Sequence, residues 1–255
     1  MKKDAIGTRM KENYEERYRF KLLRRTPVIL RLDGNAFHTL LRKSVKPFDE
    51  GFSLVMEKTA HTLCQKIQGV KCCYVQSDEM SFLLTDYDRL ETSAWFDYNV
   101  QKMVSISSGM ASVTFSALFD RPAVFDARVF NLPKEEVNNY FVWRQKDWIR
   151  NSISMLARAH YSDKQVFKKG KKELLDMLGE KNIHWELLLD RWKYGVFVER
   201  KSSVDPLTGS PGSHWETLTL CPIFTDKKET LEKYLSEKPE KGEGSNLPEN
   251  PDEHN

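Results

Sequence analysis

The sequence predicts an α+β protein whose centre has the ferredoxin-like order strand, helix, strand, strand, helix, strand (βαββαβ). Short apolar runs typical of strands alternate with longer segments in which apolar residues recur every three or four positions, as on one face of a helix. Only Ser-Asp-Glu, residues 77–79, separates the second run from the third, which is the length of a hairpin turn. A helical crossover should leave the first two strands parallel, with the third strand running back between them.

The N-terminal half supplies three of these strands and two helices. Apolar residues recur at helical spacing from Met10 to Leu22 in a charged segment. A second apolar stripe runs from Phe52 to Ile67, and Gly69 is typical of the residue that follows a helix. The predicted elements are a helix over residues 8–24, strands over 28–33, 70–76 and 80–85, and a helix over 49–68.

The C-terminal half supplies the fourth strand and further helices. The small side chains of SISSGMAS, residues 105–112, should let another backbone or a sheet approach the long helix that contains them. Pro133 is predicted to be the first residue of the following helix, with Glu135 and Glu136 in its first turn. The predicted elements are a helix over 93–119, a strand over 124–130, a helix from 133 to about 160, shorter helices over 163–192, and a hairpin formed by 194–201 and 214–224.

Composition limits the classes of function. A formal net charge of +3 in 255 residues is too small for a chain coated with nucleic acid, so any such site must be a local patch. The N-terminus lacks the apolar core of a signal peptide, and no apolar run has the length of a membrane span. The four cysteines lack C-x-x-C spacing, which favours buried, reduced thiols in a cytoplasmic protein. Residues 236–255 have the composition of a disordered tail.

The predicted topology brings two aspartates to one edge of the sheet. Asp33 ends the first strand and Asp78 lies in the turn after the second, and parallel strands end at the same edge. Two carboxylates close together in a largely buried place repel each other and favour a cation. Oxygen ligands with open positions suit Mg²⁺, and two such ions are the usual clamp for in-line phosphoryl or nucleotidyl transfer.

Gly34 fits this interpretation, because a backbone without Cβ can approach a phosphate and its carbonyl can serve as another oxygen ligand. The amides of Asn35, Ala36 and Phe37 are then placed to hold a triphosphate. A structural reading stays open for each segment alone, since Asp-Gly and Ser-Asp-Glu are both ordinary turn signals. Their occurrence at the matching ends of two parallel strands favours the metal interpretation.

Several segments in a common order resemble the tRNA(His) guanylyltransferase family and its guanylyltransferase-like relatives. RLDGNAFH (31–38) and YVQSDEMSF (74–82) are similar to the two signature segments of that family. The likeness covers roughly residues 5–201, and several motifs in order are a specific signal. The other similar segments are VKPF (45–48), KMVSISSGMASVTF (102–115), VFDARVFNLP (124–133) and YFVWRQKD (140–147).

The resemblance implies a polymerase-like palm that adds nucleotides to the 5′ end of RNA in the 3′-to-5′ direction. It implies that Asp33 and Asp78 bind metal together with the Gly34 carbonyl, and that Asp33, Asp78 and Glu79 are catalytic. For Lys46, which is matched across a short gap, and for Lys102, a solvated surface charge is the alternative. The nucleotide-binding residues implied by the resemblance or by the loop are Gly34, Asn35, Ala36, Phe37, Lys46, Ser77, Lys102 and Arg128.

Two departures from the family pattern have consequences. Eukaryotic members that select tRNA(His) carry a His-Ile-Asn-Asn segment where this chain has Trp148–Asn151. This difference favours the guanylyltransferase-like branch, whose members repair 5′-truncated tRNAs with the opposite strand as template. Asn35 stands where the family usually has Arg or Lys, so we expect this protein to handle its triphosphate differently.

The prediction as a whole is a palm-type catalytic domain over residues 1–132, with a helical and hairpin region over 133–225 that packs on it and contacts tRNA. We expect a nucleotidyltransferase with two Mg²⁺ ions that uses ATP and GTP as substrates and extends the 5′ end of tRNA. The family forms tetramers, so the resemblance also implies a homotetramer. A palm-fold nucleotide cyclase, which needs no RNA, and a non-catalytic tRNA-binding protein stay open as alternatives.

Other candidate residues give weaker signals. The six histidines form no recognisable constellation. The lysines within residues 168–172 favour a solvated helix face slightly over a grip on an RNA backbone. The tryptophans at 143, 148, 185 and 192 are predicted to be core residues rather than base-stacking platforms.

Overall fold

The computed structural model describes residues 4–204 and 209–236, and a six-stranded sheet is the centre of that part of the chain. Its strands are β1 (Val28–Asn35), β2 (Val70–Gln76), β3 (Glu79–Leu84), β4 (Val124–Asn131), β5 (Val196–Val204) and β6 (Pro211–Thr217). Their order in the sheet is β4-β1-β3-β2-β5-β6. Both β1 and β2 pair antiparallel with β3, so they are parallel to each other, which confirms the predicted βαββαβ centre.

Helices cover the two faces of this sheet to different extents. They are α1 (Ala5–Met10), α2 (Phe37–Leu40), α3 (Glu50–Lys66), α4 (Val100–Phe119), α5 (Lys134–His160), α6 (Asp163–Val166), α7 (Lys171–Glu180), α8 (Asp190–Tyr194) and α9 (Glu229–Glu232). The main core lies between one sheet face and the pair α3 and α4. On the other face, the first half of α5 and the C-terminal segment enclose a second cluster, while the second half of α5 packs with α6 and α7.

Three serines on one side of α4 allow close contact with β4. The Ser108 hydroxyl donates to the backbone carbonyl of Phe125, and the Phe125 amide donates to Ser112 Oγ at 3.0 Å. One turn further, the Ala123 amide donates to Ser116 Oγ at 2.9 Å. The small residues of α4 therefore permit the close approach expected from the sequence, and the neighbour is the edge strand of the sheet.

The N-terminal helix is shorter than predicted. It ends as α1 at Met10 and continues as a π-helical turn and a 3₁₀ turn only to Tyr18, whereas helical spacing predicted a helix to residue 24. The chain beyond is held in extended form, because Lys21 bridges Asn99 and the Leu22 amide donates to the Tyr98 carbonyl at 3.0 Å. These tertiary hydrogen bonds override the local periodicity.

The second strand of the C-terminal hairpin also differs from the prediction. It ends at Thr217 instead of residue 224, since the chain turns to fill the space beside α5. There the side chain of Gln145 donates to the Pro222 carbonyl at 2.8 Å and accepts from the Phe224 amide at 3.0 Å. At the start of α5, Pro133 is the N-cap residue rather than the first helical residue.

Burial and domain organisation follow from this packing. All four cysteines are buried and free, as the sequence predicted. Because β5 pairs with β2, the C-terminal hairpin extends the central sheet. The proposed division after residue 132 stays a prediction, and residues 237–255 of the predicted tail lie outside the described residues. No helix in residues 4–204 and 209–236 is both long and apolar enough to cross a membrane.

Candidate active site

Strand pairing brings Asp33 and Asp78 to the same edge of the sheet. Asp33 lies near the end of β1 and pairs in register with Glu79, the first residue of β3. Asp78 lies in the two-residue turn between β2 and β3, and the amide of Gly34 donates to its backbone carbonyl at 3.1 Å. The turn is one residue shorter than the predicted Ser-Asp-Glu turn, because Glu79 already belongs to β3.

Burial disfavours the charged forms of both carboxyls, and the charges of neighbouring acidic side chains add to this effect. Burial, followed by the charges of Asp78, Glu79 and Asp126, raises the pKa of Asp33 to about 6. Burial also raises the pKa of Asp78, although a hydrogen bond from Ser77 partly offsets that rise. An environment that resists two neighbouring negative charges in this way is suited to a bound cation.

A third aspartate lies beside this pair and was not among the residues singled out in the sequence. Asp126 on β4 is the register partner of Asp33 on β1. Its carboxylate lies 3.6 Å from the guanidinium of Arg128, and both side chains are about half exposed. Successive side chains of VFDARVF point to opposite faces of the strand, so the sequence itself indicates that Asp126 and Arg128 share one face. Their place opposite Asp33 depends on strand register, which the sequence does not reveal.

Glu79 is fixed by a buried ion pair with α5. Its side chain is 8% exposed, and its two oxygens accept from Arg144 Nε at 2.8 Å and Arg144 Nη2 at 2.6 Å. The same carboxylate accepts from Gln76 at 3.0 Å and from Ser81 at 3.2 Å. These bonds anchor α5 to the hairpin that carries Asp78, and a catalytic role for Glu79 itself stays a prediction.

Comparison with known proteins identifies the relatives of this fold and site. A family model described as tRNAHis guanylyltransferase matches residues 7–133. The chain is 40% identical, with a TM-score of 0.83, to a solved bacterial tRNA(His) guanylyltransferase (Thg1)-like protein in complex with ATP, over 91% of this chain and 99% of that chain. The chain belongs to the tRNA(His) guanylyltransferase family.

Two further matches agree with this family assignment. A solved complex of a bacterial Thg1-like protein with GTP is 38% identical, with a TM-score of 0.81, over 91% of this chain and 99% of that chain. A probable tRNA(His) guanylyltransferase of Bos taurus is 30% identical over 138 residues, which cover 49% of this chain and 45% of the bovine protein. Of these three matches, the two bacterial Thg1-like structures cover most of this chain, whereas the bovine protein matches about half of it.

The loop that follows Asp33 differs in detail from the sequence-based interpretation. A Cβ on Gly34 would lie 2.4 Å from Cδ2 of Phe37, so the buried Phe37 ring requires glycine here, in addition to any close approach of a phosphate. Asn35 and Ala36 are exposed, and Ala36 has a positive φ of 57°. The first amides of α2 have no acceptor within a helix, which is the feature expected of a phosphate-binding loop.

The other residues that were predicted to contact the nucleotide lie on different elements of the fold. Ser77 takes a positive φ of 47° in the turn beside Asp78. Lys46 is exposed in the loop before α3, and its ammonium donates to the Leu41 carbonyl at 3.3 Å. Lys102 lies in the first turn of α4 with its ammonium 5.8 Å from the centre of the Phe96 ring. A nucleotide role for each of these residues, and for Arg128, stays a prediction in this guanylyltransferase fold.

The candidate site offers two carboxylates, those of Asp33 and Asp78, as side-chain ligands for a metal ion. Among residues 4–204 and 209–236, no group of three or more His, Cys, Asp or Glu side chains is arranged to hold a metal ion. A site built on Asp33 and Asp78 would therefore take its other oxygen ligands from backbone, water or phosphate, which is the usual manner of Mg²⁺. The raised pKa values of both carboxyls fit such a site, because a bound cation would stabilise the charged forms that burial disfavours.

The tryptophan prediction is right for two side chains and wrong for one. Trp148 and Trp185 are 4% and 6% exposed and belong to the interior. Trp192 is half-buried and stacks on Phe48 with 5.0 Å between ring centroids. Trp143 is 55% exposed, because it lies on the side of α5 that overhangs the uncovered part of the sheet. Helical periodicity alone did not separate that side of α5 from the packed one.

Proposed function

We propose that this protein is a Mg²⁺-dependent nucleotidyltransferase that adds nucleotides to the 5′ end of tRNA in the 3′-to-5′ direction. The observation that carries the proposal is the position of Asp33 and Asp78 at the matching ends of two parallel strands, where the Gly34 amide donates to the Asp78 carbonyl. Membership of the guanylyltransferase family and similarity to solved complexes with ATP and GTP support it. Mg²⁺ bound between these carboxylates would stabilise negative charge on phosphoryl oxygens and lower the pKa of an attacking hydroxyl.

The proposed reaction has two steps, activation of the RNA 5′ phosphate and addition of a nucleotide. In the first, an oxygen of the tRNA 5′ monophosphate attacks the α-phosphorus of ATP, forms a phosphoanhydride with AMP and releases pyrophosphate. In the second, the 3′ hydroxyl of an incoming nucleoside triphosphate attacks the 5′ phosphorus of the RNA, loses its proton and releases AMP. The first step leaves the RNA with an activated 5′ phosphate, and the second leaves it one nucleotide longer with the triphosphate of the added nucleotide at its 5′ end.

The chain's own residues would bind and orient the reactants. The exposed loop at Asn35 and Ala36, with Ser77 beside it, would hold a triphosphate through backbone amides and a hydroxyl. Lys46, Lys102 and Arg128 would add positive charge along the phosphates. Because Asn35 is neutral where the family usually has a cation, we expect the loop to hold the triphosphate mainly through its backbone.

The substrate we propose is a tRNA that lacks nucleotides at its 5′ end, as for the guanylyltransferase-like branch. The segment Trp148–Asn151 supports this choice, since Trp148 is buried and Arg150 pairs with Asp147 within α5. We also propose that the protein acts in the cytoplasm as a homotetramer, with residues 133–225 contributing tRNA contacts.

The direct test is incubation of the full chain with 5′-monophosphorylated tRNAs that lack one 5′ nucleotide, together with all four nucleoside triphosphates and Mg²⁺. Incorporation that follows the opposite base would show templated repair, and invariant addition of G would show a tRNA(His) role. Asp33→Asn and Asp78→Asn should each lower the rate more than ~100-fold, because a preorganised charge-stabilising group is lost. Asp163→Asn, at a carboxylate that is 83% exposed, is the matched control.

The alternatives predict different results in the same assay. A nucleotide cyclase would form a cyclic product from a nucleoside triphosphate without RNA. A non-catalytic binding protein would bind tRNA and incorporate nothing, with or without Asp33. Full activity of Asp33→Asn or Asp78→Asn would contradict the metal assignment.

A further inference from the structure

Trp143 is an exposed aromatic side chain at the edge of the candidate site. Its indole is 55% exposed, although α5 is otherwise packed against the sheet through residues such as Val137 and Phe141, both fully buried. The ring of Tyr140, one turn earlier, meets the indole edge-on with 5.9 Å between centroids. An exposed indole beside a candidate site offers a flat apolar face with a polar N–H to a ligand.

Two guanidinium groups hold the indole in place. Cζ of Arg144 lies 4.5 Å from the centre of the Trp143 ring, and Cζ of Arg31 lies 6.0 Å from it. Arg144 is itself fixed by its two hydrogen bonds to Glu79. The Nε atom of Arg31 is buried and has no hydrogen-bond partner within the part of the chain that the structure describes. The indole is therefore positioned by the same network that anchors the hairpin carrying Asp78.

The position of Trp143 relates it to the aspartate pair. Arg31 precedes Asp33 by two residues on β1, so both side chains lie on one face of that strand. Arg128 on β4 is the register partner of Arg31, and its side chain is 53% exposed. The indole thus borders a strip of sheet that presents two guanidinium groups and then the carboxylates of Asp33 and Asp126, the latter 3.6 Å from the Arg128 guanidinium. Guanidinium groups complement the phosphates of a polynucleotide, and a flat ring complements its bases.

We infer that Trp143 is the stacking platform for the terminal base pair of the RNA whose recessed 5′ end reaches Asp33 and Asp78. The inference rests on the proposed function and specifies how the proposed active site binds its RNA substrate. Base stacking on an indole does not depend on base identity, so this contact fits an enzyme that must accept many 5′-terminal sequences. The ligand class is a duplex RNA end, and free nucleoside triphosphates are held elsewhere in the site.

The test uses the full-length protein and a hairpin RNA that carries a 5′ monophosphate and lacks one 5′ nucleotide. Trp143→Ala should weaken binding of this hairpin about 5- to 100-fold, the range for loss of one stacked base. Trp143→Phe should restore the affinity to within about 5-fold of the wild type. ATP affinity should be the same in all three proteins. Phe167→Ala removes an exposed ring that lies 5.4 Å from the Lys168 ammonium, and it should leave both affinities unchanged.

A second RNA isolates the contact with the duplex end. A closed dumbbell of the same stem sequence has no end to stack, so wild type and Trp143→Ala should bind it equally. Equal binding of the open hairpin by wild type and Trp143→Ala would overturn the inference, as would an equal loss of ATP affinity. If the wild type extends the hairpin while Trp143→Ala binds it normally, the proposed function stands and the stacking role fails. If the wild type neither binds nor extends it, the proposed function fails.

Discussion

The two faces of β1 show how one strand serves both stability and a candidate site. The face under α3 and α4 is buried along the strand, with Val28, Leu30 and Leu32 fully enclosed. The opposite face is enclosed only near its start, and Arg31 and Asp33 are partly exposed. Because successive side chains point to opposite faces, the strand supplies core residues and charged residues alternately. Strand pairing therefore sets the positions of the charged residues, while the core encloses the apolar ones.

The largest stability effect is expected on the face of the sheet under α3 and α4, the covered face. Phe115 is fully buried, and its ring centroid lies 5.2 Å from that of Phe37 and 5.5 Å from that of Phe125. Phe115→Ala should lower the free energy of unfolding by about 4 kcal/mol, because it removes buried area and leaves a cavity. Val113→Ala, two residues earlier at a side chain that is 71% exposed, should change it by less than ~0.5 kcal/mol. Urea denaturation measures both, and similar values for the two variants would contradict the comparison.

The opposite face, which carries Arg31 and Asp33, is called the open face. A somewhat smaller effect is expected where this open face meets α5. Arg144→Met removes the partner of the buried Glu79 carboxylate and should cost about 3 kcal/mol, because the charge is then uncompensated. Adding Glu79→Gln to that variant should restore part of the loss, since the uncompensated charge is gone. A double-mutant cycle in urea denaturation measures this coupling. Additive losses would show that the ion pair does not connect α5 to the hairpin.

The raised pKa of Asp33 makes the open face sensitive to pH. Between the unfolded pKa near 3.8 and the folded pKa of about 6, the folded protein holds more protons, so its stability falls as pH rises through this window. Asp33→Asn should therefore stabilise the metal-free protein at pH 7.5 by about 1–2 kcal/mol, a value reduced for the partial exposure of Asp33. Unfolding followed from pH 4 to pH 8 measures this difference.

Mg²⁺ provides the complementary measurement. It should raise the unfolding temperature of the wild type at pH 7.5 and leave that of Asp33→Asn nearly unchanged, because binding to the folded state stabilises it by mass action. If both proteins respond equally to Mg²⁺, the ion binds elsewhere. If Asp33→Asn has the same pH profile as the wild type, Asp33 does not carry the repulsion inferred for the open face.

The sequence was sufficient for most of the covered face and for the topology, although the helix predicted to begin at residue 93 begins as α4 at Val100, after a 3₁₀ turn over Trp95–Tyr98. Apolar periodicity predicted β1, β2 and α3 nearly to the residue, and the short turn between β2 and β3 led directly to the meeting of Asp33 and Asp78. These features depend on local spacing and on the handedness of a crossover, which a single sequence contains.

The rest of the open face depends on contacts between distant segments. Asp126 meets Asp33 only through the register of β4, and Arg144 meets Glu79 only through the placement of α5. The exposure of Trp143 depends on where α5 leaves the sheet uncovered. Helical and strand periodicity do not report such positions, because they describe which face of an element is apolar and not which neighbour that face will meet.

The smallest effect is expected at the rim of the open face, where Ala36 has a positive φ of 57°. A Cβ is disfavoured in this conformation, whereas glycine adopts it freely but has more conformational freedom in the unfolded chain. Ala36→Gly should therefore raise the free energy of unfolding by no more than about 0.5 kcal/mol.

Gly69→Ala is the matched opposite, since a Cβ at φ 85° would lie only 2.9 Å from the Thr85 carbonyl oxygen, and it should destabilise by more than about 1 kcal/mol.

If the loop after Asp33 holds a triphosphate through preorganised amides, Ala36→Gly should also weaken ATP binding by about 2- to 5-fold, because the more flexible loop must be ordered on binding. Isothermal titration with ATP measures this change. Unchanged or tighter binding would place the triphosphate away from this loop.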